Sequence, residues 1–442
     1  MAAEPAKPRL RRIRLEGLAE ARSRARDPEA EEAAMRILSD VGSRGEAAVR
    51  EWAERLDGLR PGDPLVIGRE GLESALASLP EAERGILERA RDRVVAFAMA
   101  QRAALRDIDV VVPGGRAGHV FTPVARAGCY APGGRFPLPS SAIMTACAAK
   151  AAGVGSVWCA GPKPARATLA AAALSGAEGF LAAGGAQGIA ALALGAGVPP
   201  CDVVVGPGGR YAAAAKRLLA GVVGTEAPAG PSELLVIAGK GADPELAAAD
   251  LLAQAEHDVA AVPSIVILAG GEDEAFAAGF ANALDEALAR RLADLPEPNR
   301  SVAAAAIENG WMLLARDEAE AVAAAERFAP EHLELLVDRP RAWAAEIANA
   351  GAVFLGPGTA EVFGDYGAGP NHCLPTGGAA RFSAGLSVLN FLRARTWLRM
   401  DDGLLASETA AFARLEGLEA HARAAELRSA GRGASGRVIT PD

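Results

Sequence analysis

The stretch DLLAQAEHD, Asp250 to Asp258, sets an amide and an imidazole three residues apart. The surrounding run LAAADLLAQAEH is built from good helix formers, so Gln254 and His257 are expected on one helical face. The chain has 5 histidines. Four of them stand in dense polar clusters: His257 in QAEHD, His332 in APEHLEL, His372 in GDYGAGPNHCLPTGG and His421 in EGLEAH. Imidazole, carboxylate and amide oxygen together suit a borderline divalent ion such as zinc, and Asp365 among its glycines can supply the carboxylate. Taken singly, each histidine reads as a satisfied core or surface residue. The segment PEHLEL points to proton transfer instead. Glu331 and His332 can act as a water-activating carboxylate and a general base if the turn after Pro330 presents both to a cleft; a Pro-led turn with two solvated side chains is the alternative.

Three glycine-rich turns, YAPGGRFPLPSS, GGAQG and GPGGRY, each end a strand candidate and precede a helix. Backbone N–H groups and a helix dipole at such a turn can receive a phosphate. None is a GxGxxG followed by a ribose-binding acid, so the standard dinucleotide fingerprint is absent. Each alone reads as a plain strand-to-helix turn.

The chain must hold these residues in substantial cores, and its 442 residues, 50% hydrophobic and 23% charged, suffice for two or three domains. A net charge of −9 leaves no basic field for a polyphosphate, which argues against nucleic acid and for a small-molecule ligand. The 5 cysteines are odd in number and form no CxxC pair, against both a disulfide framework and a thiolate metal site; a reducing cytoplasm fits. Glu4, Glu16 and Glu20 interrupt the N-terminal arginines and no apolar h-region follows, so no targeting segment is read there. No apolar run has the length of a membrane span.

Short apolar runs alternate with Ala-rich helical stretches from about Thr122 to Ile237: VARAGCYA, SVWCAG, GFLAAGG, DVVVGPGG and LLVIAG read as strands. A second set follows in SIVILAG, WMLLAR, LELLV and AVFLG. The expected fold class is α/β, with two incomplete Rossmann-like domains built on parallel sheets. The expected boundaries are an N-terminal arm (1–23), a helical segment (24–121) packing with 238–375 as one α/β domain, a second α/β domain (122–237), and a helical C-terminal extension (376–442). The last stretch, SAGRGASGRVITPD, reads as loosely ordered.

Read together and in order, APAGPSELLVIA, AADLLAQAEHD, APEHLEL, GDYGAGPNHCLPTGG with GLSV, and EGLEAH resemble the histidinol dehydrogenase family, from roughly Arg12 to Arg428. The resemblance implies a four-electron oxidation of L-histidinol through L-histidinal to L-histidine, with two NAD consumed, as the last steps of histidine biosynthesis. It implies one zinc per subunit, held by Gln254, His257, Asp365 and, from the other subunit of a homodimer, His421; the C-terminal extension would then serve dimerisation. His332 is implied as the base for the alcohol proton and Glu331 as the residue that activates water. Ser232, His372 and Glu416 match substrate contacts, as do the four zinc ligands and the acid/base pair. A carboxylate at Glu416 suits an imidazole-bearing substrate. Tyr130, Gln187 and Gly209 match cofactor contacts, but Gly209 in GPGGRY stands where the family reads Asn, and Glu226 stands where Asp is usual. A homologous zinc/NAD dehydrogenase of another small alcohol, such as a sulfonated propanediol, and an inactive ligand- or metal-binding paralogue are the alternatives.

Overall fold

Runs such as Glu233–Ala238, buried at every position, have no solvent face and must lie inside a sheet covered on both sides. In the computed structural model, which describes residues 9–19, 27–133, 136–227, 230–270 and 274–429, this strand is central in a six-stranded parallel sheet. The order is Arg11–Ile13, Trp311–Ala315, Val262–Leu268, Glu233–Ala238, His332–Leu336, Ala352–Leu355. Leu234, Val236 and Ala238 face the helices Pro244–Ala255 and Glu274–Asp294, while Leu235 and Ile237 face Trp311, Phe328 and Leu333. At roughly 2 kcal/mol per buried aliphatic side chain, both faces contribute strongly to holding this strand.

A second six-stranded sheet runs Val66–Gly68, Gly179–Leu181, Ser156–Ala160, Arg126–Tyr130, Val203–Val205, Gly224–Thr225. Its pairs are parallel except the first. The chain is therefore α/β with two incomplete Rossmann-like sheets, as the alternation of runs predicts. Both sheets belong to one unit, Met1–Arg102 with Val124–Phe391.

Two expectations about the boundaries differ from what is observed. LLVIAG does not close the 122–237 set but forms the centre of the other sheet, because its alternate residues fill two separate cores. The helix Pro28–Arg44 packs on Gly185–Leu194 and Arg210–Leu218, so the amino-terminal helices join the layer of 122–237 rather than that of 238–375. Its stripe Ala30, Ala34, Ile37, Val41 covers the apolar outer faces of those Ala-rich helices. Of the expected arm, residues 9–19 are described, and Arg11–Ile13 is an edge strand of the first sheet. The stretch read as loosely ordered lies outside the described residues beyond Ser429.

The second unit comprises Ala103–Pro123 with Leu392–Asp442. Its antiparallel sheet has the order Leu392–Met400, Gly115–Pro123, Ile108–Val112. The long strand Leu392–Met400 falls where helices alone were expected after Pro375. The helices Ala406–Leu415 and Glu419–Glu426 pack on each other through Ala410, Ala413 and Ala422. Leu398, Leu404, Phe412, Leu415 and Leu427 of this unit are exposed. Among the described residues no helix is long and apolar enough to cross a membrane.

Candidate active site

The strands Glu233–Ala238 and His332–Leu336 pair in parallel with Leu234 opposite His332, so Glu233 and Glu331 meet where both strands begin. The helix Glu318–Phe328 ends at Ala329 in the left-handed region, φ 51°, and Pro330 prevents its continuation. The turn then delivers Glu331 and His332 side by side. The backbone N–H of Glu233 donates to Glu331 Oε2 at 2.8 Å, and His332 Nδ1 lies 3.1 Å from the Glu233 carbonyl. That carbonyl can only accept, so Nδ1 carries the proton and Nε2 keeps a free lone pair. The Glu233 carboxylate also accepts from Gly377 N–H with both oxygens, at 3.1 and 3.2 Å, tying the loop after His372 to the same strand.

Both members of the pair are buried, 6% exposed for Glu331 and 4% for His332. Burial raises the Glu331 carboxyl well above the usual carboxylate range, against the Glu233 amide and with help from the nearby acids Glu233, Asp365 and Glu361. Burial lowers His332 to about 4, partly offset by the Asp365 charge, so the imidazole is neutral near neutrality.

The helix Pro244–Ala255 starts at Asp243, whose side chain accepts from Glu245 N–H, with Pro244 at its first position. Its last turn carries Gln254. The helix ends at Ala255, so His257 sits just beyond it rather than on its face, with its N–H 3.4 Å from the Gln254 carbonyl. His257 Nε2 lies 3.2 Å from Asp365 Oδ2. His372 Nδ1 is 3.3 Å from the Asp365 carbonyl and 3.9 Å from its Oδ1. The hydrogen bond to Asp365 raises His257, against burial, whereas burial lowers His372. Burial pushes the Asp365 carboxyl up, but the His257 hydrogen bond and the surrounding imidazoles together hold it below its ordinary value.

Glu361, absent from the residues singled out in the sequence, joins this group. One ligand atom each of His257, Glu361 and Asp365 lie within 4.8 Å of one another. Burial, then Asp365, raises Glu361 to about 8. Several polar atoms here are buried with no hydrogen-bond partner: Gln254 Oε1 and Nε2, both Glu361 oxygens and His372 Nε2. Such orphans cost on the order of 1–3 kcal/mol each, more for a charged group, unless something binds them. An amide oxygen, an imidazole and carboxylates are donors that a divalent ion accepts, so the residues fit a metal. Glu334, at the second position after His332, shares a carboxyl–carboxyl hydrogen bond with Asp250, and burial raises both. The i, i+4 spacings of Glu361 with Asp365 and of Asp250 with Gln254 were the sequence signals for these acids.

The expected cofactor contacts lie on the other sheet, at its carboxyl edge. Arg126–Tyr130 stands between Ser156–Ala160 and Val203–Val205, where the chain reverses the direction in which it adds strands. Parallel α/β sheets bind ligands at such a crevice. Tyr130 OH accepts from Gly185 N–H at 2.8 Å. Gln187 Nε2 donates to Asp57 Oδ2 at 2.9 Å, and Gly184 N–H donates to the same oxygen at 2.8 Å. Gly206 has φ 127°, and a Cβ there would meet the Tyr130 carbonyl at 2.0 Å. Lys216 and Glu226 form a buried ion pair under this turn: Lys216 donates to the Gly206 carbonyl, and Glu226 accepts from Gly206 N–H. The Asp-to-Glu departure thus keeps a carboxylate on the loop. Gly209 caps the helix Arg210–Leu218 with no side-chain bond, and nothing lies within 4 Å of a Cβ built on it. Helix N-termini behind glycine turns fit a dinucleotide's phosphates. The buried Cys373 thiol, raised by burial, feels Glu226 and Lys216 as well as Glu331 and Asp365, so the two regions adjoin.

Of the remaining expected residues, Ser232 is half-buried and immediately precedes Glu233. Glu416 and His421 are exposed and belong to the second unit, on and just after the two short helices' connection.

The histidinol dehydrogenase family pattern matches residues 20–429. The chain belongs to the histidinol dehydrogenase family. It is 41% identical over 403 residues to a histidinol dehydrogenase of Parasynechococcus marenigrum, covering 89% of each chain. It is also 38% identical over 405 residues to a sulfopropanediol 3-dehydrogenase of Ruegeria pomeroyi, covering 89% of this chain and 91% of the relative. The structure of the Elizabethkingia anophelis histidinol dehydrogenase superimposes with a TM-score of 0.85 at 26% identity, over 96% of this chain and 98% of that one. The family is one of oxidoreductases acting on small molecules.

Proposed function

We propose that the chain is an NAD-dependent, zinc-containing enzyme that oxidises L-histidinol to L-histidinal and then to L-histidine, acting as a homodimer in the cytoplasm. The observation that carries this reading is the joining of a base pair and a cation-ready pocket. His332, held by Glu233, keeps Nε2 free, and the orphaned Gln254 and Glu361 atoms stand with His257 and Asp365.

The overall balance is alcohol plus two NAD plus water giving carboxylate, two NADH and three protons. Bound NAD would supply the hydride acceptor for each oxidation, and bound zinc would supply a cation to fix the substrate. The rest falls to the protein. Gln254, His257, Asp365 and a second copy's His421 would hold zinc, while Ser232, His372 and Glu416 orient the substrate. Neutral His332 accepts the hydroxyl proton at Nε2 as the first hydride leaves. Glu331, whose burial raises its affinity for a proton, then takes one from the water that adds to the aldehyde. Tyr130, Gln187 and the Gly206–Gly209 turn receive the nucleotide. The exposed apolar side chains Leu398, Leu404, Phe412, Leu415 and Leu427 support a second copy as the partner of the C-terminal unit.

The test is NADH formation from L-histidinol, with and without chelator and with zinc restored. Turnover lost to chelator and regained with zinc is the expected result. Turnover of a sulfonated propanediol and none of L-histidinol would move the substrate to that alcohol, and NADH from neither would leave a binding paralogue.

A further inference from the structure

We propose that Glu361 is an additional donor of the metal centre, one that lets the residues of a single chain hold the divalent cation without a second copy's His421. This rests on the metal reading above and extends it, since Glu361 lies outside the ligand set that the sequence motifs imply.

The residue is fully buried, and neither carboxyl oxygen has a hydrogen-bond partner. One oxygen lies within 4.8 Å of both a His257 ring nitrogen and an Asp365 oxygen. The charged groups acting on it most strongly are mostly acidic, Asp365, Asp250 and Glu256, with His257 the one cation-forming group among them. A carboxylate taken out of water without a partner costs several kcal/mol, and neighbouring acids increase that cost. A bound divalent ion relieves all of it. Asp365 and Glu361 together carry two negative charges, so the ion, two carboxylates, one neutral imidazole and the Gln254 amide make a neutral set. The carboxyl end of the helix Pro244–Ala255, which carries Gln254 and leads directly to His257, adds a favourable partial negative charge.

Local structure aims the two acids at one place. They are four residues apart, with Glu361 at the start of the short helix Val362–Asp365 and Asp365 at its end. Positions i and i+4 of one turn share a face. Two pairs, 254/257 and 361/365, thus converge from two segments of one chain. A three- or four-donor set complete within a chain binds an ion by itself, and His421 then adds to a site already loaded.

The test uses the full chain stripped with chelator and titrated with Co2+, read by calorimetry and by the visible absorption of the bound ion. Wild type should bind one Co2+ per chain. His421→Ala should still bind one, within roughly 10-fold in affinity and with shifted bands, whereas adding Glu361→Gln should weaken binding by roughly 100-fold. Glu361→Gln is isosteric, and the melting temperature of the metal-free protein checks its fold. Should it not fold, Glu361→Asp, one methylene shorter, should shift the Co2+ bands instead. Wild-type affinity and bands in Glu361→Gln, with or without His421→Ala, would overturn the proposal while leaving the metal reading intact. No Co2+ uptake by wild type would remove both.

Discussion

The two six-stranded sheets gather their buried polar groups and glycine turns at opposite edges. At the carboxyl edge of the sheet containing Arg126–Tyr130 strands end and helices begin, so glycine turns and helix N-termini line it. The sheet containing Glu233–Ala238 uses its amino edge, where helices end and strands begin, so carbonyl ends, carboxylates and imidazoles line it. The dipole of a helix is positive at the first kind of edge and negative at the second. Backbone direction alone thus suits the first edge to an anionic group and the second to a cation, before any side chain is chosen. Specific bonds then refine this: the Lys216, Glu226 and Asp57 side chains hold glycine backbone on one sheet, while the Glu233 backbone holds Glu331 and His332 on the other.

If this division is right, changes at the amino edge should strike turnover and changes at the carboxyl edge should strike cofactor affinity. The largest effect is expected from His332→Asn, which should lower kcat for L-histidinol by about 10²–10⁴-fold with little change in the KM for NAD. Glu331→Gln should impair oxidation of supplied histidinal more than hydride removal from histidinol. Negligible loss in both variants would take the pair out of the mechanism.

Next in size is a test of whether the amino-edge site is completed by another chain. His257→Asn and His421→Asn homodimers should each be inactive, yet co-expression should restore up to about a quarter of wild-type activity. Half of randomly paired dimers are mixed, and one of the two sites in each keeps both histidines. Verified mixed dimers without recovery would place both histidines in one chain's site.

The third outcome concerns pH. His332 falls to about 4 in the folded chain from an ordinary 6.5, so the folded state favours the neutral ring. Its contribution to stability is complete above 6.5 and is lost as pH falls from 6.5 to 4, on the order of 3 kcal/mol. Denaturant unfolding of the metal-free protein at pH 7 and pH 4 should show a smaller drop in His332→Asn than in wild type. An equal drop would mean that other groups carry the acid sensitivity.

The smallest effect belongs to the carboxyl edge. Because nothing stands within 4 Å of a Cβ at Gly209, and its φ of −64° suits any residue, Gly209→Asn should be accommodated. It should lower the KM for NAD by roughly 3–10-fold, the worth of one hydrogen bond, at unchanged kcat and metal content. A higher KM would show that the turn grips the nucleotide by another route.

Much of this protein was legible from order along the chain. Alternating buried runs and Ala-rich helices settle a parallel α/β architecture, because strands without a polar face must be covered on both sides. The motifs around Gln254, His257, Glu331, His332, Asp365 and His372 single out polar side chains that the fold sets close together: His257 and His372 beside Asp365, Gln254 one turn before His257, and Glu331 beside His332. Tertiary structure decided what depends on partners distant in sequence. LLVIAG could end one sheet or centre another until its two faces met two different cores, and the helix Pro28–Arg44 could cover either layer until its small-residue stripe met Gly185–Leu194. Glu361 carried only an i, i+4 spacing, common in any helix, and became informative when both oxygens were found buried without a partner beside His257 and Asp365. The tautomer of His332 likewise follows from the Glu233 carbonyl, 99 residues away. Local propensity and periodicity act over a few residues, whereas burial, orphaned polar atoms and proton positions are set by whatever the fold brings alongside.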